Sequence, residues 1–308
     1  MSMAAAVREQ DALTWLAGGG EMGARIRSFD WARTPLGQPA QWPESLRTAV
    51  RIMLTSPQPM FVWWGDARLN IYNDAYRAVL GRKHPEALGR PAAEIWREIW
   101  DEVGSRADIV MHQNKGTFDE GLLLIMDRYG YREETYYTFS YSPVPDGAAG
   151  VGGLFCACNE ETHRIVGERQ MALLRELAAR TADARTIAEA CEAAAAALAT
   201  NAHDLPFAVL YRVDAERRRA VRAGLAGILD GHEAAPPAIE LDERAIWPLK
   251  AALDGNVLVP IADLGASRGR LPTGAWGEPP GTAVVLPIVA SGASGQAAAL
   301  VVGCNPYR

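Results

Sequence analysis

The spacing of hydrophobic residues in the first half of the chain changes near residue 60. Before that point, Leu46, Val50 and Met53 recur at helical spacing, which predicts a helix that begins at Trp42-Pro43. After it, short apolar runs bounded by turn residues predict five strands. These strands are Met60–Trp64, Leu69–Tyr72, Phe118–Met126, Glu134–Ser142 and Gly152–Cys158.

Helical patterns fill the stretch between the second and third predicted strands. Asn73 can cap a short helix that Gly81 ends, and an apolar stripe from Ile95 to Val103 predicts another, which can resume from Ser105 to His112. This order of strands and helices suggests an antiparallel sheet with its helices gathered between the second and third strands. The first half therefore predicts a five-stranded antiparallel sheet with flanking helices.

Residues 160–200 contain no proline, and their pattern predicts helical structure. Val166, Leu173 and Leu177 form an apolar stripe, and Thr186 with Glu189 has the spacing of a capping box. The pattern predicts either two helices in series or one bent helix between two sheet domains.

A second sheet is predicted after residue 200. Its strands are Phe207–Val213, Ala220–Ala223, Val257–Ile261, Thr282–Val289 and Ala297–Val302, with a helix over Glu243–Leu253 that Pro248 can interrupt and a long loop over Gly265–Gly281. The predicted fold class is α+β, with two antiparallel sheets and a helical linker. Because a covering helix is expected after the last strand, we expect a truncated chain at Arg308.

Composition and charge narrow the function classes. The chain has 308 residues, which suits two domains, and its net charge of -6 disfavours binding to nucleic acid. Four cysteines are too few for a disulfide framework and indicate a reducing, cytoplasmic compartment. The start has no signal-peptide pattern, and the apolar tract from Thr282 to Gly303 is too broken to span a membrane.

Several motifs of the first sheet resemble a PAS sensor domain. They are Leu69-Asn70-Ile71-Tyr72-Asn73-Asp74-Ala75-Tyr76, Gly81-Arg82-Lys83-His84-Pro85, Leu88-Gly89-Arg90-Pro91, Glu94–Trp100, Glu133–Pro143 and Gly153-Leu154-Phe155. Glu161-Thr162 stands where many PAS domains carry a short polar motif before the output helix. Phe29–Gly37 with Trp42–Leu46 is similar to the segment before such domains in bacterial sensor histidine kinases, and 185–308 resembles a GAF domain without its final helix.

The resemblance implies an N-terminal extension (1–45), a PAS-like domain (46–160), a signalling linker helix (161–184) and a GAF-like domain (185–308). It further implies a cytoplasmic signal-input module that regulates a histidine kinase and, through it, a response regulator in two-component signalling. No ATP-binding or phospho-acceptor motif occurs in the chain, so no catalytic domain is expected here. Two alternatives stay open: an input module for a diguanylate cyclase or another output, and a dimerisation scaffold without ligand.

Aromatic residues of the PAS-like part are candidates for a small-molecule pocket. Such residues, with an apolar body and a polar tip, suit a small organic ligand; the alternative is a packed core with no ligand. The candidate ligand-binding residues are Phe61, Trp63, Tyr72, Trp96, Tyr137, Phe139 and Tyr141.

No cofactor is expected. His112 lies where haem-binding PAS domains place a histidine, but no second motif supports haem, and no flavin-adduct or bilin motif is present. Cys156 and Cys158 alternate on one strand and read as ordinary core residues, so no metal site is expected.

The helix between the two sheets carries the candidate dimer seam. Val166, Leu173 and Leu177 are spaced by seven and four residues, as a packed helical seam requires. We expect a homodimer in which these residues meet a partner helix, although the stripe could pack on a sheet of its own chain instead.

Overall fold

The computed structural model describes residues 14–147, 150–214, 216, 218–264, 270–289 and 297–308. The chain divides into two compact units, the first up to Ile165 and the second from Val166. The cut therefore falls inside the predicted linker helix. Within the described residues, no helix is both long enough and apolar enough to cross a membrane.

Unit 1 is built on an antiparallel sheet whose five described strands run in the order β2-β1-β5-β4-β3. The strands are β1 (Met60–Trp64), β2 (Leu69–Tyr72), β3 (Thr117–Asp127), β4 (Arg132–Pro145) and β5 (Val151–Glu160). The register of β3 and β4 shifts between Asp119 and Leu122, at Gly121, whose φ is +58°. Glycine suits this irregularity because it reaches positive φ without a steric penalty.

The helices of unit 1 lie before the sheet and between β2 and β3. They are α1 (Gly20–Ser28), α2 (Glu44–Thr55), α3 (Arg77–Leu80), α4 (Ala92–Ile95) and α5 (Trp100–Gln113), with 3-10 turns at Thr14–Leu16, Trp31–Arg33, Pro39–Gln41, Asp74–Tyr76 and Gly81–Lys83. The predicted order of strands and helices is confirmed. The stripe predicted as one helix from Ile95 is broken, since Ile99 leaves helical geometry at φ -125° and ψ 15°.

Helix α1 follows Gly18–Gly20, a run of glycines that is more typical of a linker than of a helix start. The helix begins at Gly20, and its first amides are capped from a distance: Glu21 N and Met22 N donate to the Asp74 carboxylate at 3.0 and 2.7 Å. A Cβ on Gly20 would lie 1.9 Å from that carboxylate. The glycine therefore makes room for a cap that lies more than fifty residues away in sequence.

The described part of the predicted N-terminal extension belongs to the core of unit 1. Leu16, Met22, Ile26, Trp31 and Trp42 are all buried there. Trp31 and Trp42 meet edge to face at 4.9 Å, and their indole N–H groups donate to Ile26 O and Gly37 O, each at 2.8 Å. This segment is thus packed onto the sheet unit.

Unit 2 contains a second antiparallel sheet, with six described strands in the order β8-β7-β6-β11-β10-β9. The strands are β6 (Ala208–Val213), β7 (Arg219–Ala226), β8 (Ala238–Glu240), β9 (Val259–Ala262), β10 (Thr282–Val289) and β11 (Ala297–Gly303). Its helices are most of α6 (Thr162–Thr181), then α7 (Ile187–Leu198) and α8 (Leu249–Gly255). The α+β class with two antiparallel sheets and flanking helices is confirmed.

Some elements of unit 2 differ from the prediction. The helix expected over Glu243–Leu253 begins only at Leu249, because Pro248 occupies its N-cap with ψ 54°. Strand β8 was not predicted. The N-cap predicted for α7 is confirmed, since Glu189 N donates to Thr186 Oγ1 at 3.1 Å. The Glu189 carboxylate accepts from Arg185 N at 2.8 Å, one residue before the amide that a capping box uses. Residues 265–269 of the predicted loop lie outside the described residues.

Candidate functional site

A cavity lies between the sheet of unit 1 and helices α3 and α5. It offers about 40 Å³ of space to the centre of a water molecule, enough for a few waters. Its lining is almost wholly apolar and aromatic. The lining residues are Phe61, Trp63, Tyr76, Val79, Trp96, Ile99, Val103, Leu124, Met126, Tyr137, Phe139, Tyr141, Cys156 and Cys158.

Strand alternation explains why these residues share one face. Successive side chains of a strand point to opposite faces of the sheet, so every second residue can reach the cavity. On β4 these are Tyr137, Phe139 and Tyr141, and the register pairs Tyr141 with Cys156 and Phe139 with Cys158. The break between α4 and α5 brings Trp96 and Ile99 to the same cavity.

The candidate aromatic residues separate into two groups. Around the cavity lie Phe61, Trp63, Trp96, Tyr137, Phe139 and Tyr141. Tyr72 lies outside this lining, and its hydroxyl is 2.8 Å from His84 Nδ1. Sequence reasoning missed Tyr76 and the aliphatic residues of α3, α5 and β3 as part of the lining, because helical spacing shows that they are buried but not what they face.

The polar groups that face the cavity are uncharged. Burial raises the pKa of Tyr76, Tyr141 and Cys156 well above their ordinary values. Tyr76 and Tyr141 each bring a hydroxyl to the cavity lining, and both residues are buried. Each hydroxyl can both donate and accept, so the cavity suits an uncharged guest that carries a hydrogen-bonding group.

Tyr137 connects the cavity to the beginning of α6. Its ring lines the cavity, and its hydroxyl donates to Glu160 Oε2 at 2.9 Å. The Thr162 hydroxyl donates to Glu160 Oε1 at 2.9 Å and accepts from Tyr136 N at 3.0 Å. Because Thr162 is the first residue of α6, three hydrogen-bonded side chains join the cavity wall to the helix.

Arg128 holds this group of side chains together. Its guanidinium binds Glu133 at 2.9 and 3.0 Å and Glu160 at 2.8 and 3.3 Å, and it also donates to the Tyr137 hydroxyl at 3.2 Å. Burial disfavours the charged form of Arg128 and so acts to lower its pKa. The hydrogen bonds to the Glu133 and Glu160 carboxylates have the larger effect, and the pKa of the guanidinium is raised. Burial alone would raise the pKa of Glu160, yet the bonds from Arg128, Thr162 and Tyr137 hold that pKa below 4.5.

Tyr72 belongs to a second polar cluster at the edge of unit 1. His84 lies between the Tyr72 hydroxyl and Glu21, with His84 Nε2 at 3.3 Å from Glu21 Oε1. Arg25 and Arg77 also bind Glu21, at 2.8 and 2.6 Å, and the Arg25 bond is the main reason that the pKa of Glu21 is lowered. The cluster joins α1 to the sheet and does not border the cavity.

The other candidate residues do not form a reactive site. His112 lies in the last turn of α5, is exposed and does not line the cavity. Cys156 and Cys158 are buried in the cavity wall. In the described ranges, no group of three or more His, Cys, Asp or Glu side chains could hold a metal ion. The cofactor predictions stay predictions.

The predicted seam residues of α6 contact their own chain. Val166 is buried, and Leu173 and Leu177 pack against the buried cluster of unit 2 that includes Cys191 and Ala195 of α7. Burial raises the pKa of the Cys191 thiol, as it does for Cys304 after the last strand. The homodimer itself stays a prediction.

Comparison with known proteins gives likenesses of structure only. No protein-family model matches the chain, and no curated protein matches its sequence. A GAF domain from an Acinetobacter phosphoenolpyruvate-protein phosphotransferase is 13% identical, with a TM-score of 0.33, over 45% of this chain and 79% of that one. The PAS domain of a histidine kinase is 17% identical, with a TM-score of 0.25, over 33% of this chain and 98% of that one.

One of the solved structures to which this chain is similar is an enzyme. The free methionine-R-sulfoxide reductase from Neisseria meningitidis, solved with its substrate, is 17% identical, with a TM-score of 0.33, over 46% of this chain and 75% of that one. The solved structures to which this chain is similar thus include GAF and PAS domains and an enzyme. With TM-scores below 0.5, these likenesses carry no argument about what the chain binds or does.

Proposed function

We propose that the chain is a signal-input module in which an uncharged small molecule binds the cavity of unit 1 and changes the start of helix α6. The output is a histidine kinase that acts on a response regulator, as the PAS-like sequence motifs imply. A diguanylate cyclase or another output is the alternative for the same input module. The four free cysteines suit a reducing, cytoplasmic location.

The hydrogen-bond chain from Tyr137 through Glu160 to Thr162 carries this proposal. A guest that displaces the Tyr137 ring moves its hydroxyl, and the hydroxyl is shared between Glu160 and Arg128. Glu160 in turn binds the first side chain of α6. Charge-assisted hydrogen bonds are short and directional, so a small displacement favours a different set of partners rather than a stretched version of the same set.

The lining of the cavity also supports one class of ligand. A charged guest would lose its hydration without gaining an opposite charge, because the residues that line the cavity are apolar, aromatic or held neutral by burial. The hydroxyls that Tyr76 and Tyr141 bring to the lining favour a guest with one polar group. A small phenol-like or heteroaromatic molecule combines these properties. Because such a molecule is larger than the roughly 40 Å³ that is open, it enters only when a residue of the wall, such as Tyr137, is displaced.

We also propose that the chain itself performs no catalysis. Burial raises the pKa of Cys156, Cys191 and Cys304, which disfavours the thiolate that nucleophilic cysteine chemistry requires. Neither unit presents a complete nucleotide-binding or phospho-acceptor motif in its sequence. The module would act on its output through the helices between the two sheets.

Phenol serves as a probe for binding to the cavity. We expect it to bind the wild-type chain with a dissociation constant of roughly 1 mM, which is ordinary for a ligand of this size. Val103→Leu adds one methylene to the cavity wall and should weaken binding roughly tenfold, because a methylene occupies much of the free space. Calorimetric titration measures both affinities.

The matched control is Val110→Leu, which adds the same methylene to the same helix at a buried position outside the cavity. This variant should bind phenol as the wild type does. Equal weakening by both variants, or no binding to the wild type, would contradict the cavity as the ligand site and leave the scaffold alternative.

The purified chain is expected to be colourless, because no haem, flavin or bilin motif is complete in the sequence. An absorption spectrum from 350 to about 700 nm, where such cofactors absorb, checks this expectation. A visible band that survives purification would contradict it, and loss of that band in His112→Ala would identify His112 as the ligand.

A further inference from the structure

Two free thiols lie near each other in the wall of the cavity of unit 1. Cys156 and Cys158 are alternate residues of β5, so their side chains point to the same face of the sheet. Both residues line the cavity and are buried. Burial raises the pKa of the Cys156 thiol, and the Cys158 thiol is close enough to raise it further. The cavity therefore presents two neighbouring sulfur atoms to a single guest.

Tyrosine side chains surround the two thiols. Tyr141 pairs with Cys156 across the sheet, and burial followed by both thiols raises the pKa of Tyr141. The pKa of Tyr76, in the turn after β2, is raised by burial and then by the same two thiols. Because electrostatic effects weaken with distance, these shifts place both phenol groups near the sulfur atoms. Among the described residues that line the cavity, none is Asp, Glu, Lys, Arg or His.

We infer that Cys156 and Cys158 form a chelating site for a small, uncharged, thiol-seeking oxyacid, of which arsenous acid, As(OH)₃, is the probe. This inference rests on the proposed function, because it names a guest for the same cavity. Arsenous acid is neutral at pH 7, so it avoids the loss of hydration that a charged guest would suffer. It is smaller than phenol, and after exchange only its arsenic atom and one hydroxyl occupy a space that holds a few waters.

The exchange balances without an oxidant or a base. Two As–O bonds break and two As–S bonds form, while each thiol proton leaves on a hydroxyl group as water. Arsenic stays trivalent, and the bound group is uncharged. Because no net proton is released, the product does not depend on a stable thiolate, which burial disfavours here. The Cys158 thiol leaves Pro59 O, to which it donates at 3.6 Å, and the remaining As–OH can bond to the hydroxyls of Tyr76 and Tyr141.

A soft metal cation such as Ag⁺ matches the two sulfur atoms but not the rest of the cavity. It binds thiolates, so both protons must leave to solvent. A monovalent cation between two thiolates also leaves a net negative charge, and the described lining residues include no cationic side chain to offset it. The neutral oxyacid therefore fits this cavity better than the cation does.

Serine substitutions test the chelate, with sodium arsenite as the source of arsenous acid. Cys156→Ser and Cys158→Ser each leave one thiol, so each should raise the dissociation constant about 100-fold or more, since a second linked contact is lost. Cys191→Ser is the matched control, because it removes a buried thiol of α7 in unit 2 and should leave the dissociation constant unchanged. Mass spectrometry of the intact chain under non-denaturing conditions measures binding, and the complex should gain the mass of arsenous acid less two waters.

The pH dependence of binding distinguishes neutral exchange from proton displacement. The dissociation constant of the wild type should change by less than about twofold between pH 6 and pH 8, because no net proton is exchanged. The tyrosines that face the thiols stay neutral over this range, because burial raises the pKa of Tyr76, Tyr137 and Tyr141. Binding that tightens about tenfold or more per pH unit would overturn the neutral exchange.

Phenol separates this inference from the proposed function. Both serine variants should bind phenol as the wild type does, which shows that their cavity is intact. In the wild type, phenol at ten times its dissociation constant should weaken arsenite binding about tenfold, because the two guests share the cavity. Arsenite that fails to bind while phenol binds would overturn the chelate and leave the cavity as a ligand site. Arsenite binding that neither serine variant nor phenol weakens would also overturn it.

Discussion

Asn73→Asp is expected to destabilise unit 1 by about 3–5 kcal/mol, the range for breaking a buried polar network and leaving an unpaired charge. The two N–H groups of Asn73 Nδ2 are shared among three carbonyl oxygens, those of Met53, Ser56 and Gln58, at 3.1, 3.1 and 2.7 Å from the nitrogen. Its Oδ1 accepts from Met60 N and Tyr76 N, both at 3.1 Å. An aspartate would present an oxygen to all three carbonyls.

Urea unfolding measures this loss, with the tryptophan fluorescence of the chain as the signal. Asn159→Asp is the matched control, because Asn159 is exposed and its Oδ1 accepts from Gln58 Nε2, which a carboxylate can also do. The control should change the free energy of unfolding by less than about 0.5 kcal/mol. A loss below about 1 kcal/mol in Asn73→Asp would contradict the role of Asn73 as the link between α2, β1 and the turn after β2.

Arg128→Met is expected to destabilise unit 1 by about 3–5 kcal/mol at pH 7, because it removes one partner of a buried ion-pair group. The carboxylates of Glu133 and Glu160 would remain side by side without the cation that binds both. Adding Glu160→Gln to this variant should recover part of the loss, because it removes one of the two uncompensated charges. Urea unfolding of the single and double variants measures the effect.

The ion pair between Arg128 and Glu160 makes the free energy of unfolding depend on pH, and the direction of this dependence can be predicted. In the wild type, the pKa of Glu160 is lowered, so its contribution to stability is present above 4.5 and is lost as the pH falls through the lowered value. In Arg128→Met, the Glu160 carboxyl stays buried but loses its positive partner, so the pKa of Glu160 rises. The difference in the free energy of unfolding between the wild type and the variant should therefore be smaller at pH 5 than at pH 7. A difference that stays constant or grows toward pH 5 would contradict this ion pair.

The sequence predicted both sheets because alternation and turn residues are local signals. It grouped Tyr137, Phe139 and Tyr141 on one face, but a period of two cannot tell which face lies inward. That choice depends on helices α3 and α5, which are far away in sequence. Cys156 was predicted to lie in the core, yet nothing local shows that it or Tyr76 borders a cavity.

Polar contacts between distant residues were beyond the sequence. The cap that Asn73 provides for its own turn follows from local spacing, but its bonds to Met53, Ser56 and Gln58 do not. The cap of α1 by Asp74 and the position of Arg128 between two glutamates likewise depend on the folded sheet. Helix α6 shows the same limit, because only the packing of unit 2 shows that Leu173 and Leu177 contact their own chain.

The central claim is that occupancy of the cavity reaches α6 through Tyr137. Tyr137→Phe removes the hydroxyl that binds Glu160 and keeps the ring in the cavity wall. Tyr136→Phe is the matched control, because it removes a hydroxyl from the neighbouring residue, which binds Glu134 and does not line the cavity. Both variants should bind phenol with an affinity close to that of the wild type.

Amide hydrogen exchange at residues 161–168, with and without saturating phenol, tests the claim most directly. We expect phenol to change exchange at the start of α6 in the wild type and in Tyr136→Phe, and to leave it unchanged in Tyr137→Phe. An unchanged helix in the phenol-bound wild type, or an equal change in both variants, would contradict transmission through Tyr137.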